Sequence, residues 1–350
     1  MNKFRLCYIS RCYNGKASAG NKAKSDYEKI LESLGAVNIA LKRRESHNKI
    51  YAFFLNLIGF IKYTFSIRKN DILVLQYPVK KYFSLICYIA HKKGATVVTF
   101  IHDLGSQRRK KLTVEKEVNR LNLSNYIIAA NDSMKDWLIQ NNVIGKIIPM
   151  GLHDYLTDIV KEPRISEKSD PTFKIIYAGS IAKRKTSYLV ELSNKDLDYQ
   201  LHLYGDVQRV NLPENKNIIL NDYMPSEKFI DSIEGDFGLI WDGDSLDRCS
   251  GDFGEYLKLN TPHKCSFYLV SGLPLIIWSG AAVAKIVEKE KIGLTIDSME
   301  KLPQVLNNLT SSEIAEFQLN VKRVATQIRS GENFKNAITQ VINHITEFTP

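Results

Sequence analysis

One lysine stands where helix electrostatics disfavour a cation. In NTPHKCSFYLVSGLPLIIWSG, residues 260–280, a short apolar helix has marked ends: Thr261 suits the N-cap, Pro262 the first helical position and Gly272 a left-handed C′ residue. Lys264 then falls in the first turn, against the positive end of the helix dipole. A bound anion removes that penalty, and the free N–H groups at the helix start are themselves an anion site. A second cation, Arg184, follows the apolar run FKIIYAG, whose turn holds Gly179 and Ser180. Together Lys264 and Arg184 match the two charges of a diphosphate, leaving backbone N–H groups for its oxygens. The alternative is a Lys264 that snorkels into solvent and tolerates the dipole at about a few tenths of a kcal/mol.

Other apolar runs end in residues of similar use. IILNDYMP carries Tyr223, FGLIW leads into Asp242-Gly243-Asp244, TVVTFI leads into His102-Asp103, and His153-Asp154 follow Gly151. Two carboxylates at one strand end suit Mg²⁺ or Mn²⁺; a carboxylate beside an imidazole suits proton transfer. An Asp after a strand also serves as a plain cap or turn residue. The loop YNGKASAGNKAKSD, residues 13–26, places Asn14 and Gly15 among small residues and lysines. Its composition fits a loop that closes over a ligand, or an ordinary flexible one. It lacks GxGxxG and GxxxxGK[ST], so neither a dinucleotide nor a P-loop site is indicated.

These residues need a scaffold that gathers strand ends, and the chain's rhythm supplies one. β-rich runs at 6–9, 72–76, 95–101, 126–130 and 146–149 are separated by helical segments such as 25–34 and 115–121. The second half repeats the pattern at 173–178, 201–204, 218–220, 237–241, 274–278 and 294–296. Strand–helix alternation predicts βαβ units and mostly parallel sheets. With 350 residues the chain is too long for one ordinary core. The polar stretch KEPRISEKSDP, residues 161–171, separates a domain over 1–160 from one over 172–350. Tandem Rossmann-like domains place ligands in the crevice at the carboxyl ends of their strands.

Charge divides along the same line. The whole chain has 48 Lys+Arg against 38 Asp+Glu, net +10, but residues 1–170 hold 29 against 15, leaving the remainder at −4. Clusters at Lys42-Arg43-Arg44, Lys80-Lys81, Lys92-Lys93 and Arg108-Arg109-Lys110-Lys111 would attract nucleic acid, an anionic membrane or a phosphate-rich acceptor, or are solvated loops and helix ends. The apolar run YAFFLNLIGFI, residues 51–61, stops at Lys62 and falls short of the roughly 20 residues a spanning helix needs. With basic residues on both sides it reads either as an interfacial helix or as a helix buried on the sheet. Five cysteines show no CxxC spacing, disulfide framework or Cys/His zinc pattern, which predicts a reducing compartment. The opening MNKFRLCYISRCY has its apolar runs broken by Lys and Arg and carries no signal-peptide core. A cytoplasmic protein, peripheral at the inner face of the membrane, is the expectation.

The order YAGS…KR, DYMPSEKF, FGLIWDGD, PHKCSFYLVSGLPLII and IVEKEKIGLTIDSMEKL resembles the nucleotide-binding half of GT-B glycosyltransferases. More narrowly, the chain is similar to the bacterial family that holds the glucosyltransferase extending O-linked GlcNAc on serine-rich adhesins and the β-1,6-galactofuranosyltransferases of surface polysaccharide synthesis. LQYP (76–78 within it), FIHD (100–103) and GLHD (151–154) carry the resemblance into the first half. It implies an α/β GT-B fold, two Rossmann-like domains whose parallel sheets face a central cleft. The first domain would bind the acceptor, and the second a UDP-sugar; the C-terminal helix would pack back on the first.

By the same resemblance Lys264 takes the position of the diphosphate-contacting lysine, and Tyr223 that of an aromatic residue near the nucleotide. Arg184 or Lys183 takes that of an arginine after the GS-type turn, with Gly179, Ser180, Asp242 and Thr261 around the donor. Pro262-His263 replaces the family's usual Ser-Tyr before the lysine, so His263 alters the base or sugar contacts of that loop. No Glu-x7-Glu pair surrounds Lys264, and inversion is expected. An inverting transfer needs a base on the acceptor side; Asp103, with His102 beside it, is favoured over His153-Asp154, and Asn14, Gly15 and Asp154 are the loop or acceptor candidates. The implied reaction moves a galactofuranosyl or glucosyl group to a glycan, glycolipid or glycoprotein, with no metal. No nucleic-acid partner is expected; self-association is compatible with the resemblance. Three alternatives stand: a metal held by Asp242 and Asp244 as in GT-A enzymes, a UDP-sugar epimerase, and a noncatalytic sugar-binding partner of another transferase.

Overall fold

The computed structural model describes residues 4–13, 19–79, 82–162, 172–205 and 211–347. Asn14, Gly15, Lys80-Lys81, Asp206 and most of the 161–171 stretch lie outside them. The chain divides into two compact units, residues 1–150 with 331–350, and residues 151–330.

In the first unit the strands are β1 (Arg5–Tyr8), β2 (Cys12–Tyr13), β3 (Val37–Asn38), β4 (Arg44–Glu45), β5 (Asp71–Tyr77), β6 (Thr96–Ile101), β7 (Tyr126–Ala129) and β8 (Lys146–Pro149). Six form one sheet in the order β3-β1-β5-β6-β7-β8, while β2 pairs with β4. The second unit holds β9 (Lys174–Ala178), β10 (Gln200–Tyr204), β11 (Ile218–Asn221), β12 (Phe237–Ile240), β13 (Leu275–Trp278) and β14 (Gly293–Ile296), ordered β11-β10-β9-β12-β13-β14. Every ladder in both sheets is parallel.

Parallel strands need crossover helices, which cover both faces, so the inner strands are apolar without alternation. β12 (FGLI) and β13 (LIIW) are buried at every position. The eleven β-rich runs of the sequence match strands to within a residue or two. Val37–Asn38, Cys12–Tyr13 and Arg44–Glu45 are two residues long, too short for any periodic signal. The helix expected over 25–34 runs Ala19–Ser33.

The division between the units falls earlier than the 161–171 stretch. Residues 151–160 belong to the second unit because their backbone is bonded there: Gly151 O accepts from Thr261 Oγ1 (3.0 Å), His153 O from Ser266 Oγ, and Tyr155 N donates to Ile328 O (3.3 Å). The chain re-enters the first unit at Gly331, and Phe334 of the closing helix Glu332–Glu347 packs edge-on against Tyr27 (4.8 Å between centroids).

The apolar run at 51–61 lies in the helix Lys49–Ser66, started by Asn48, whose side chain accepts from Ile50 N and Tyr51 N. Only Gly59 and Tyr63 of this helix are buried, so it is not a core helix. Among the described residues no helix is long and apolar enough to cross a membrane.

Candidate active site

The carboxyl end of β9 and the start of the helix His263–Val270 meet in the second unit, and two features of the sequence bring them together. Tyr268, four residues after Lys264, reaches the strand end: its hydroxyl accepts from Ala178 N (2.7 Å). A Cβ on Gly238 would lie 2.4 Å from the Tyr268 ring, so glycine in β12 makes room for it. Thus anchored, the helix sends the Lys264 side chain over the face of Tyr177, with Nζ 3.6 Å from the ring centroid. Gly179 is the residue that permits this approach. A Cβ there would stand 2.8 Å from Lys264 Cε, and its φ of +141° is one that other residues rarely adopt. Gly205 repeats the device at the end of β10, where a Cβ would meet Gly179 O at 2.2 Å.

Lys264 Nζ is shut away from solvent and has no hydrogen-bond partner among the described residues. Burial drives its pKa well below the ordinary lysine value, Lys185 pushes the same way, and Asp242 opposes them. An ammonium over an aromatic face keeps part of its stabilisation, but its three donors remain to be used. The oxygens of an anion would satisfy them.

Lys185 is the second cation of the pocket. Its Nζ pairs with Asp242 Oδ2 at 3.3 Å, and both groups are largely buried. The backbone fixes the pair: Gly243 N donates to Lys185 O (2.7 Å), and Thr186 bridges to Gly243. Arg184 points elsewhere. It is exposed and its guanidinium lies over the Phe253 ring, 5.2 Å from the centroid, with Lys185 Nζ at 5.8 Å from the same ring. The sequence favoured Arg184 over its lysine neighbours by residue type; the Tyr177 platform was missed. The signal available was their place in KRK and YAG, where one turn of backbone decides which cation faces inward.

The two carboxylates of Asp242-Gly243-Asp244 do not converge. Asp242 turns to Lys185, whereas Asp244 is exposed and accepts from Ser250 Oγ. Among the described residues no cluster of three His, Cys, Asp or Glu is placed to hold a metal ion.

Several expected contacts are relocated. Thr261 is buried and donates its hydroxyl to Gly151 O, so it does not cap the helix; Pro262 occupies that position with extended backbone, and His263 is the first helical residue. Gly272, at φ +76°, follows the helix end as expected. The His263 ring stacks on His153 at 3.9 Å and 17°. Asp154 is 1% exposed and belongs to the second unit, on the segment that Thr261 and Ser266 clasp; burial leaves it no surface for an acceptor. Ser180 is exposed, its carbonyl accepting from Tyr177 Oη at 3.4 Å. Tyr223 is 62% exposed beyond β11.

In the first unit, His102 and Asp103 follow β6. Gln76 Nε2 donates to Lys24 O (3.1 Å), which turns its amide oxygen toward His102; Nε2 of His102 therefore carries the hydrogen of their 2.8 Å bond. Asp103 is gripped by Arg108, and its side chain keeps 29% of its exposure. Burial raises the Asp103 pKa above the usual aspartate value, against the pull of Arg108, Arg109 and Lys24. Asp103 is not the cap of the following helix Gly105–Arg108. Glu117, wholly buried and unmarked in the sequence, does that work: its carboxylate accepts from Gly105 N, Ser106 N and Tyr77 Oη, each at 2.8 Å.

The fold has close counterparts. The lipopolysaccharide outer core galactosyltransferase WaaB superposes with a TM-score of 0.60 at 13% identity, covering 96% of this chain and 99% of that one. HepE of Anabaena, solved in complex with UDP-glucose, gives 0.59 at 12% identity over 97% and 99%. Two units built on parallel sheets, together with these counterparts, define the class of fold: the chain has the GT-B fold of glycosyltransferases. Residues 6–152 match the Glucosyltransferase 3-like N-terminal domain and residues 175–341 the corresponding C-terminal domain, and the chain belongs to that family. It is 30% identical over 340 residues to the β-1,6-galactofuranosyltransferase WbbI of Escherichia coli, covering 94% of this chain and 96% of that one. It is 22% identical over 255 residues to Glucosyltransferase 3 of Streptococcus gordonii, covering 72% of each.

Proposed function

We propose that the enzyme transfers a hexosyl group, galactofuranose or glucose, from a UDP-sugar to a glycan, glycolipid or glycoprotein, with inversion and without a metal ion. The observation that carries this reading is the buried Lys264 amino group, held beside Gly179 at the start of a helix with no hydrogen-bond partner among the described residues. A nucleotide diphosphate supplies the oxygens it lacks. Lys185 adds positive potential from within the same pocket, and the first N–H groups of the helix add more.

In this mechanism Asp103 is the base of the acceptor side. Its carboxylate takes the proton of the attacking acceptor hydroxyl as the hydroxyl oxygen bonds the anomeric carbon and the bond to the diphosphate breaks. UDP departs with its new charge against Lys264, where a fixed cation stabilises a developing anion without solvent reorganisation. Asp103's raised pKa suits the base, since proton affinity nearer the working pH strengthens its pull. Arg108 keeps it ionised and oriented. No metal is invoked because Asp242 is committed to Lys185 and Asp244 to Ser250, and the lysines provide the electrostatic work. His102 orients the turn that bears Asp103 through Gln76. A lipid-linked acceptor would be met at an anionic membrane surface.

The test is a thermal-shift and donor-hydrolysis panel over UDP, UDP-glucose, UDP-galactose, UDP-galactofuranose, GDP-mannose and dTDP-glucose, each with and without EDTA. Binding to the folded state raises its midpoint. A UDP-dependent shift that survives EDTA is expected. A shift abolished by EDTA would return the site to Asp242 and Asp244, and no shift with any nucleotide would reject the donor site altogether.

A further inference from the structure

We propose that the outward face of the Lys49–Ser66 helix is a docking surface for an anionic lipid bilayer. This surface is independent of the donor pocket and lies wholly in the first unit.

The helix turns most of its large apolar side chains outward. An ordinary surface helix turns its apolar stripe to the core and its charges to water. Here the inward contacts are few: Gly59 and Tyr63 are buried, Tyr63 Oη donates to Ile86 O (2.7 Å), the part-buried Phe60 stacks on Tyr82 (5.2 Å between centroids), and Asn56 Oδ1 accepts from Cys12 N (3.0 Å). Gly59 lets the helix lie close against Leu41, where an added Cβ would be at 3.6 Å. Ile50, Phe54, Ile58, Ile61 and Phe65 recur at the spacing of one helical face and are all exposed, Phe65 at 85% and Ile50 at 71%. Along the 18-residue helix this stripe extends over about 22 Å.

Charge chooses the occupant. No acidic residue lies in the helix, and across residues 42–69 seven Lys and Arg face a single Glu45. Lys42, Arg43, Arg44 and Lys49 are exposed before or at its start, and Arg68 and Lys69 just past its end. An apolar stripe flanked by cations at both ends matches the two layers of a bilayer surface. The bulky side chains enter the acyl boundary while the lysines and arginines stay at the phosphates. A second copy of the chain fits less well, because a two-fold contact sets this patch against itself and brings like charges together. The helix lies on the surface and does not cross it: no described helix is long and apolar enough to span.

The experiment is flotation of the full chain with phosphatidylcholine vesicles, alone or containing about 30% phosphatidylserine, at low and raised salt. Two variants accompany the wild type: Phe54→Ser with Phe65→Ser, and Lys49→Glu with Arg68→Glu and Lys69→Glu. All five positions are exposed and outside the donor pocket, so the UDP-induced thermal shift serves as the control for an intact fold. Wild type should float with the anionic vesicles and much less with neutral ones. Each variant should bind the anionic vesicles at least roughly tenfold more weakly, the charge-reversed one losing its salt dependence. Equal binding to neutral and anionic vesicles, no binding to either, or variants that bind like wild type would overturn the proposal. So would sedimentation showing a wild-type dimer that Phe54→Ser with Phe65→Ser dissolves, since a second copy would then cover the face.

Discussion

Replacing Lys264 by Met should separate two quantities that usually move together, stability and ligand affinity. The side chain is nearly isosteric, so the change removes chiefly a charge that burial and Lys185 already disfavour. A lysine whose folded pKa lies below its unfolded one penalises folding at every pH below the folded value, and the penalty fades as pH rises toward 10.5. Lys264→Met removes the penalty, so the free enzyme should melt no lower than wild type at neutral pH. Affinity for UDP should fall instead. A charge-assisted hydrogen bond to a diphosphate is worth about 1.5–3 kcal/mol, or roughly 10- to 150-fold in Kd. Titration calorimetry reads the affinity directly. Repeating it in buffers of different ionisation enthalpy reads the protons, because an anion that demands a charged Lys264 draws a proton in with it. Wild-type affinity should therefore fall as pH rises above the depressed pKa of Lys264 in the free enzyme, more steeply than that of the variant. Equal UDP affinities for the two proteins, or identical pH slopes, would refute the placement of a diphosphate at Lys264.

Three further outcomes are expected. Asp103→Asn should lower kcat by roughly 10²- to 10⁴-fold with UDP affinity unchanged; wild-type turnover would remove Asp103 as base. Activity should be lost as pH falls through the Asp103 pKa, and Arg108→Met, by removing the main opposing charge, should move that acid limb to higher pH in a kcat/KM profile; an unmoved limb would mean that another group titrates. Gly179→Ala should weaken UDP binding while sparing neighbours that do not touch the pocket, since its Cβ meets the Lys264 stem at 2.8 Å; an affinity equal to wild type would show that the ammonium can move aside freely.

Much of the fold was legible because parallel sheets write themselves plainly. Strands buried on both faces must be continuous apolar runs, and the crossover between them must be long enough for a helix, so FKIIYAG, FGLIW and PLIIW mark β9, β12 and β13. The same pattern lists candidate residues, because ligands gather where those runs end. Gly179 and Asp242 became candidates in this way, and Lys264 through its place in the first turn of a helix. The units' boundary was misread for an opposite reason: a proline-containing polar stretch draws the eye to 161–171, while the hydrogen bonds of Gly151 and His153 that bind 151–160 to the second unit involve backbone carbonyls with no signature in residue type.

By itself, then, the sequence determined the alternating α/β architecture, the family, and a short helix with a lysine in its first turn. Tertiary structure decided which groups meet. It put Lys185 rather than Arg184 beside Lys264, turned Thr261 from cap to strap, buried Asp154, and passed the capping role from Asp103 to Glu117. It also decided that the apolar run at 51–61 faces outward, which no periodicity could show, since a stripe on a helix has the same spacing whichever way the helix is turned. Residue type and spacing constrain what a side chain can do; the direction in which it points depends on partners tens or hundreds of residues away along the chain.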